Sequence, residues 1–263
     1  YVDRGRAVVS PHSAALLCRG AVDTARADAP ALCIKVFERD IGVEAFGEAH
    51  AVALCAEVNA PSFAPNALLP VECAAKLHKL GRRGQGGELD ALTIVHLCQR
   101  AHGKAGRDGT KACVEVLHRR SGSRRDGASS AHVTRTLCAG ATSDAPAQCF
   151  FAAPDAESTK VRATLCAGAT NDAAAHCAQK ARRSGLRAED APHGRIGAAS
   201  LVAHLCAGAA SEAPAACYGD APYSVVDAVK VPACGATRDP ASAKRIARCL
   251  ELAPKHFNCL PQV

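Results

Sequence analysis

Three stretches of the sequence are nearly identical and decide the fold: TLCAGATSDAPAQC (136–149), TLCAGATNDAAAHC (164–177) and HLCAGAASEAPAAC (204–217). In each stretch the two cysteines are eleven positions apart, and a glycine stands two residues after the first of them. Self-similarity of this kind is the signature of a repeat protein, in which each copy is one supersecondary unit. The chain is therefore predicted to be an array of such units.

Looser copies of the motif extend the array in both directions, at 16–33, 53–73, 96–113 and 233–249. They keep the two cysteines but vary the residues between them. We therefore predict one continuous repeat array over 1–263, without a clear domain boundary. Its units are centred on 18–33, 55–73, 98–113, 138–149, 166–177, 206–217 and 234–249.

Each unit is typical of two helices joined by a tight turn. The residues before the first cysteine have the apolar periodicity of a helix. A helix C-terminus favours a residue that can adopt positive φ, and glycine stands there in four units: Gly20, Gly140, Gly168 and Gly208. Asp28, Asp144 and Asp239 precede a proline and can cap the next helix. The predicted class is all-α: tandem disulfide-stapled helical hairpins in a solenoid-like or irregular helical array.

The cysteines compensate for a weak core. Aromatic residues make up only 3% of the chain and Trp and Met are absent, whereas there are fifteen cysteines. Many evenly spaced cysteines are typical of an oxidising compartment. We predict that the two cysteines of each unit pair across its turn, because a tight turn brings helix ends close together. The predicted pairs are Cys18–Cys33, Cys55–Cys73, Cys98–Cys113, Cys138–Cys149, Cys166–Cys177, Cys206–Cys217 and Cys234–Cys249.

Cys259 is left over by this pairing and leaves alternatives open. It can pair with Cys249 or with Cys234, which frees another cysteine of that group. Otherwise it forms an intermolecular bond, or bonds to a partner outside this sequence.

No constellation for catalysis, metal binding or a cofactor is predicted. Zinc sites use close pairs such as C-x₂-C, and the sequence has none. A nucleophilic cysteine is normally single and has an orienting base, whereas these cysteines recur. We therefore expect a protein that is not an enzyme and that has neither cofactor nor metal.

Pairs of arginines recur beside Gly or Ser in the connections between units. If the repeats stack in register, these residues form a basic edge that can bind sulfated or carboxylated glycans. The alternative is that they are solvated connections that keep an alanine-rich protein soluble. The residues are Arg82, Arg83, Arg119, Arg120, Arg124, Arg125, Arg182 and Arg183.

The charge and the hydropathy of the chain limit the classes of partner that it is expected to bind. The net charge is +7, with acidic and basic residues interspersed and few aromatic residues for base stacking, which argues against nucleic acid. No apolar run approaches the ~18 residues that indicate a membrane span. The chain opens on Tyr1, which fits a processed segment or an excerpt. The predicted location is extracellular, by secretion.

The repeated Leu-Cys-Ala-Gly-Ala and Ala-Pro-x-x-Cys motifs resemble those of large secreted structural proteins of algae and other protists. The resemblance is strongest over 136–217 and transfers no catalytic residues. It implies a structural role in extracellular fibres, coats or flagellar hairs.

Three functions follow as hypotheses. The first is an extracellular structural or assembly protein, a subunit of a filament, coat or hair-like appendage that associates with itself or with other structural proteins. The second is a secreted module that binds glycans or a protein. The third is an accessory subunit of a larger complex in an oxidising lumen.

Overall fold

A computed structural model describes residues 2–3, 6–7, 9–18, 29–56, 58, 68–82, 89–101, 103–121, 130–155, 157–186 and 198–252. The helices form two compact units, Tyr1–Asp144 and Ala145–Val263. Each unit is described by itself below, and the single continuous array over 1–263 stays a prediction.

The first unit opens with a two-stranded antiparallel hairpin, β1 (Val2–Asp3) and β2 (Arg6–Ala7). Helices make up the rest of its described secondary structure. They are α1 (Pro11–Cys18), α2 (Ala29–Asp40), α3 (Val43–Phe46), α4 (Glu48–Cys55), α5 (Leu69–Arg82), α6 (Ala91–Gln99), α7 (Gly103–Ser121) and α8 (Ala131–Cys138).

The described secondary structure of the second unit is entirely helical. Its helices are α9 (Ala145–Ala152), α10 (Thr159–Cys166), α11 (Ala173–Arg183), α12 (Ala198–Cys206), α13 (Ala213–Asp220), α14 (Asp227–Gly235) and α15 (Pro240–Leu252).

Within each unit the helices form two rows. In the second unit α9, α11, α13 and α15 pack one after another, and α10, α12 and α14 pack in the same way. In the first unit the rows are α2, α5 and α7, and α4, α6 and α8. Apart from the short α3, each successive helix of a unit therefore lies in the row opposite to that of the helix before it. The predicted all-α class is confirmed.

The turns between rows use the glycines that the sequence indicated. Gly140, Gly168 and Gly208 have φ of 74°, 70° and 70°, a conformation that a side chain disfavours. In each turn the N–H of the residue after the glycine donates to the carbonyl of the preceding cysteine, at 3.0–3.2 Å. Gly20 lies outside the described residues.

The predicted aspartate cap is present at α15, whereas α11, for which no aspartate cap was predicted, is capped by a different residue. Asp239 Oδ1 accepts hydrogen bonds from two backbone N–H groups of α15, each at 2.9 Å. At α11 the side chain of Asp172 makes no cap bond. Asn171 takes this role, and its Oδ1 accepts from Ala173 N at 2.9 Å. Asp28 lies outside the described residues.

The core between the rows consists of small and branched residues. The leucine that precedes the last cysteine of a helix is buried in six helices: Leu17, Leu54, Leu97, Leu137, Leu165 and Leu205. Alanines fill the space between them and let the helices approach closely. Because alanine buries little apolar area, this core gives a modest hydrophobic stabilisation per residue.

An ion pair with the same spacing recurs in both units. Lys76, three residues after Cys73, lies 2.6 Å from Asp108, five residues before Cys113. Lys180 and Glu212 hold the matching positions around Cys177 and Cys217, at 3.1 Å. All four side chains are partly exposed, so each pair contributes less than about 1 kcal/mol. The two ion pairs join equivalent positions of neighbouring helices in a row. They therefore show that such helices pack with the same register in both units.

Candidate functional site

The cysteines form the most regular constellation of side chains in the structure. Six disulfides have Cα–Cα distances of 5.5–5.7 Å, within the range that this bond requires. Their sulfurs are shielded, because every one of the twelve residues is at most 1% exposed. The bonds are Cys33–Cys55, Cys73–Cys98, Cys113–Cys138, Cys149–Cys166, Cys177–Cys206 and Cys217–Cys234.

The predicted pairing across the tight turns is therefore wrong. Each bond joins the second cysteine of one sequence repeat to the first cysteine of the next repeat. It closes the longer of the two connections beside each helix, which spans 17 to 29 residues. The reason is geometric. A Cα–Cβ bond in a helix tilts toward the helix N-terminus, so a cysteine in the last turn points back along its own helix. The helix beside it there is the preceding one, and this pair packs more extensively than the pair joined by the turn.

The ends of the array correct two further predictions. Cys18, predicted to pair with Cys33, is free and exposed, because Cys33 bonds to Cys55. Cys249, predicted to pair with Cys234, is disulfide-bonded, but Cys234 bonds to Cys217. Cys259 lies outside the described residues.

The free thiol gives a direct test. We expect maleimide to modify Cys18 in the native, unreduced protein, because this residue is exposed and unbonded. The twelve cysteines of the six described disulfides should react only after reduction. Mass spectrometry of peptides identifies the labelled residue, with Cys18→Ser as the control. Labelling of Cys33 before reduction would contradict the pairing.

The predicted arginine edge is only partly available for binding. Arg182 Nε donates to Oε1 of Glu157 at 2.6 Å, and Glu157 is only 4% exposed. Arg119 donates to the carboxylate of Glu115 at 2.8 Å but stays exposed. Arg120 and Arg183 are also exposed.

The remaining arginines of the predicted edge cannot be placed in this way. For Arg82 only the backbone is described, at the end of α5. Arg83, Arg124 and Arg125 lie outside the described residues. The basic edge therefore stays a prediction, because the structure describes the side chains of only Arg119, Arg120, Arg182 and Arg183 among its eight arginines.

One buried histidine was not singled out from the sequence. His118 on α7 is 7% exposed, and its Nε2 has no hydrogen-bond partner among the described residues. Burial lowers the pKa of this imidazole to about 4, because the charged form loses its hydration. The folded first unit thus contains a neutral histidine.

The neutral histidine predicts a pH dependence of stability. Its pKa in the fold lies below the ordinary value of 6.5, so the unfolded chain binds this proton more tightly than the folded chain does. The folded state therefore has its full stability above pH 6.5 and loses stability as the pH falls toward 4. We expect the free energy of unfolding to decrease by about 2 kcal/mol between pH 7 and pH 5. Denaturant unfolding at each pH measures it. His118→Gln should remove most of the decrease, whereas His132→Gln, at an exposed position of α8, should not. Equal pH slopes in all three proteins would contradict this assignment.

Other site types were sought among the described residues. No group of three or more His, Cys, Asp or Glu side chains there is arranged to hold a metal ion. Within the same residues, no helix combines the length and apolarity needed to cross a bilayer.

Comparison with known proteins leaves the function to be argued from this chain. No protein-family model matches the sequence, and no curated protein or solved structure is detectably similar to it. The resemblance to protist repeat proteins stays a prediction. The disulfides themselves indicate an oxidising environment, extracellular or lumenal.

Proposed function

We propose that this chain is a non-enzymatic structural protein of the extracellular space, a building block of a filament, coat or hair-like appendage. The observation that carries the proposal is the pattern of its disulfides, which join a helix of one row to a helix of the other row in both units. Each described bond closes a long connection, and glycines with positive φ lie in the short turns at Gly140, Gly168 and Gly208, so these crossings between rows are constrained.

The energetics suit such a role. Closing loops of 17 to 29 residues restricts the unfolded chain by roughly 3 to 4 kcal/mol per bond in the entropy model. An alanine-rich core gives little stabilisation per residue, so these bonds are a main source of stability. Their burial protects them from reductants, which matters for a protein that must persist outside the cell.

Assembly at increasing concentration tests the proposal. We expect negative-stain electron microscopy and sedimentation velocity to show polymers or discrete oligomers as the protein is raised from micromolar to millimolar concentration. Cys18→Ser separates assembly by packing from cross-linking through the free thiol, and should assemble like the native chain. A protein that stays strictly monomeric over this range, in both forms, would overturn the proposal.

A further inference from the structure

Two hairpins of the second unit each contain a buried cation beside an aromatic ring. The α9–α10 and α13–α14 hairpins are each closed by a disulfide that spans 17 residues. In both, the residue after the first cysteine is aromatic, Phe150 or Tyr218, and the residue thirteen positions after that cysteine is cationic, Arg162 or Lys230. The guanidinium carbon of Arg162 lies 4.4 Å from the ring centroid of Phe150, and Lys230 Nζ lies 5.4 Å from that of Tyr218.

Only one of the two hairpins places a described carboxylate in ion-pair contact with its cation. Asp155, six positions after Cys149, lies 3.0 Å from Arg162 Nη1. The matching position after Cys217 is Tyr223. Lys230 is 5% exposed, and its Nζ has no hydrogen bond or ion pair with the described residues. Asp227 interacts with Lys230 electrostatically, but its Oδ1 accepts the hydroxyl of Tyr218 at 2.8 Å.

The residue that replaces the aspartate is a fully presented aromatic ring. Tyr223 is 95% exposed, and its ring centroid lies 5.5 Å from Lys230 Nζ. A turn fixes its backbone, since Val225 N donates to the Pro222 carbonyl at 3.1 Å and the Val225 side chain is buried. Val226 beside it is also exposed. A flat apolar face thus adjoins an ammonium group that has no hydrogen-bond acceptor among the described residues.

We propose that the α13–α14 hairpin binds an acidic saccharide, whose carboxylate pairs with Lys230 and whose sugar ring stacks on Tyr223. The carboxylate occupies the role that Asp155 has in the sister hairpin. A uronic acid fits because it joins a carboxylate to a ring with an apolar C–H face, whereas a simple carboxylate uses only the cation and a neutral sugar only the ring. This binding site goes beyond the proposed structural function and does not depend on it.

The surroundings of Lys230 strengthen such a contact. Burial lowers the pKa of its ammonium group, because the charge is poorly hydrated there. An incoming carboxylate restores a partner in a region sheltered from water, where charge-assisted hydrogen bonds are strongest. The Cys217–Cys234 disulfide closes the loop that carries Tyr218, Tyr223, Asp227 and Lys230. Little ordering of these side chains therefore accompanies binding.

Binding of a tetragalacturonate to the full chain tests the site. Calorimetry gives the affinity, and tyrosine fluorescence reports on the ring, because the chain has three Tyr and no Trp. We expect saturable binding, with weaker or no binding of a neutral galactose tetramer and of acetate. Lys230→Met should weaken binding about tenfold or more, while Lys244→Met, which removes an exposed cation from α15, should leave it unchanged.

Tyr223→Asp provides the decisive variant, because it places a carboxylate where Asp155 stands in the sister hairpin. This exposed substitution leaves the core intact, and we expect it to abolish tetragalacturonate binding and to raise the melting temperature by pairing with Lys230. It also decides the matter if Lys230→Met does not fold. No binding by the native chain, binding unchanged in Tyr223→Asp, or equal binding of acetate would each overturn the proposal.

Discussion

Replacing both Cys177 and Cys206 with alanine is expected to lower the free energy of unfolding by about 3 to 4 kcal/mol. This bond spans 29 residues, the longest connection among the six, so its loss releases the most conformational freedom in the unfolded chain. Both residues are removed together, because a single replacement leaves a buried thiol that can exchange with neighbouring disulfides. Denaturant unfolding followed by circular dichroism measures the change.

Two controls separate this effect from the loss of any cysteine. Cys18→Ala should leave the unfolding free energy unchanged, because this residue is free and exposed. Cys149→Ala with Cys166→Ala removes a bond that spans only 17 residues and should cost slightly less than the Cys177–Cys206 pair. An unchanged stability of the Cys177–Cys206 variant would contradict the pairing. So would a native peptide map in which Cys166 is linked to Cys177.

The helical elements could be predicted from the sequence because their signals are local. The apolar periodicity before Cys138, Cys166 and Cys206 predicts a helix in each place. The structure has α8, α10 and α12 there, and each of these helices ends at the cysteine. The glycine two residues later needs positive φ for reasons that concern its own backbone. Such features depend on a few neighbouring residues, so a single repeat is enough to reveal them.

The disulfide partners could not be predicted, because they depend on packing between helices. Each cysteine has one candidate partner across a tight turn and another across a longer connection, and short separation favoured the first. The direction of Cβ within a helix favours the second. Spacing along the chain carries no information about that direction once both partners lie on helices.

The candidate binding hairpin was missed for a related reason. Tyr223 and Lys230 are unremarkable in the sequence, and their meaning comes from Asp155 and Arg162 at equivalent positions of another hairpin. That equivalence appears only when the repeats are aligned on their bonded cysteines, Cys149–Cys166 and Cys217–Cys234. One residue of the predicted arginine edge has a partner that the sequence did not indicate, since a run of like charges does not show that Arg182 pairs with the buried Glu157.

Gly109→Ala is expected to destabilise the first unit by about 3 kcal/mol or more, although alanine is the better helix former. Gly109 lies inside α7, where the turn after α8 crosses it. A Cβ added there would lie 2.1 Å from the carbonyl carbon of Thr142 and 2.4 Å from the backbone nitrogen of Ser143. These are main-chain atoms of a turn fixed by the Cys113–Cys138 bond and by Gly140, so neither side can yield without breaking other contacts.

The matched control is Lys104→Ala, an exposed position on the same helix, which should change stability little. Thermal and denaturant unfolding of both variants measure the difference. If Gly109→Ala were as stable as the native chain, α7 would not approach the 139–144 turn as closely as described. The result therefore tests the packing of one row against the other independently of the disulfides, because the substitution leaves every cysteine in place.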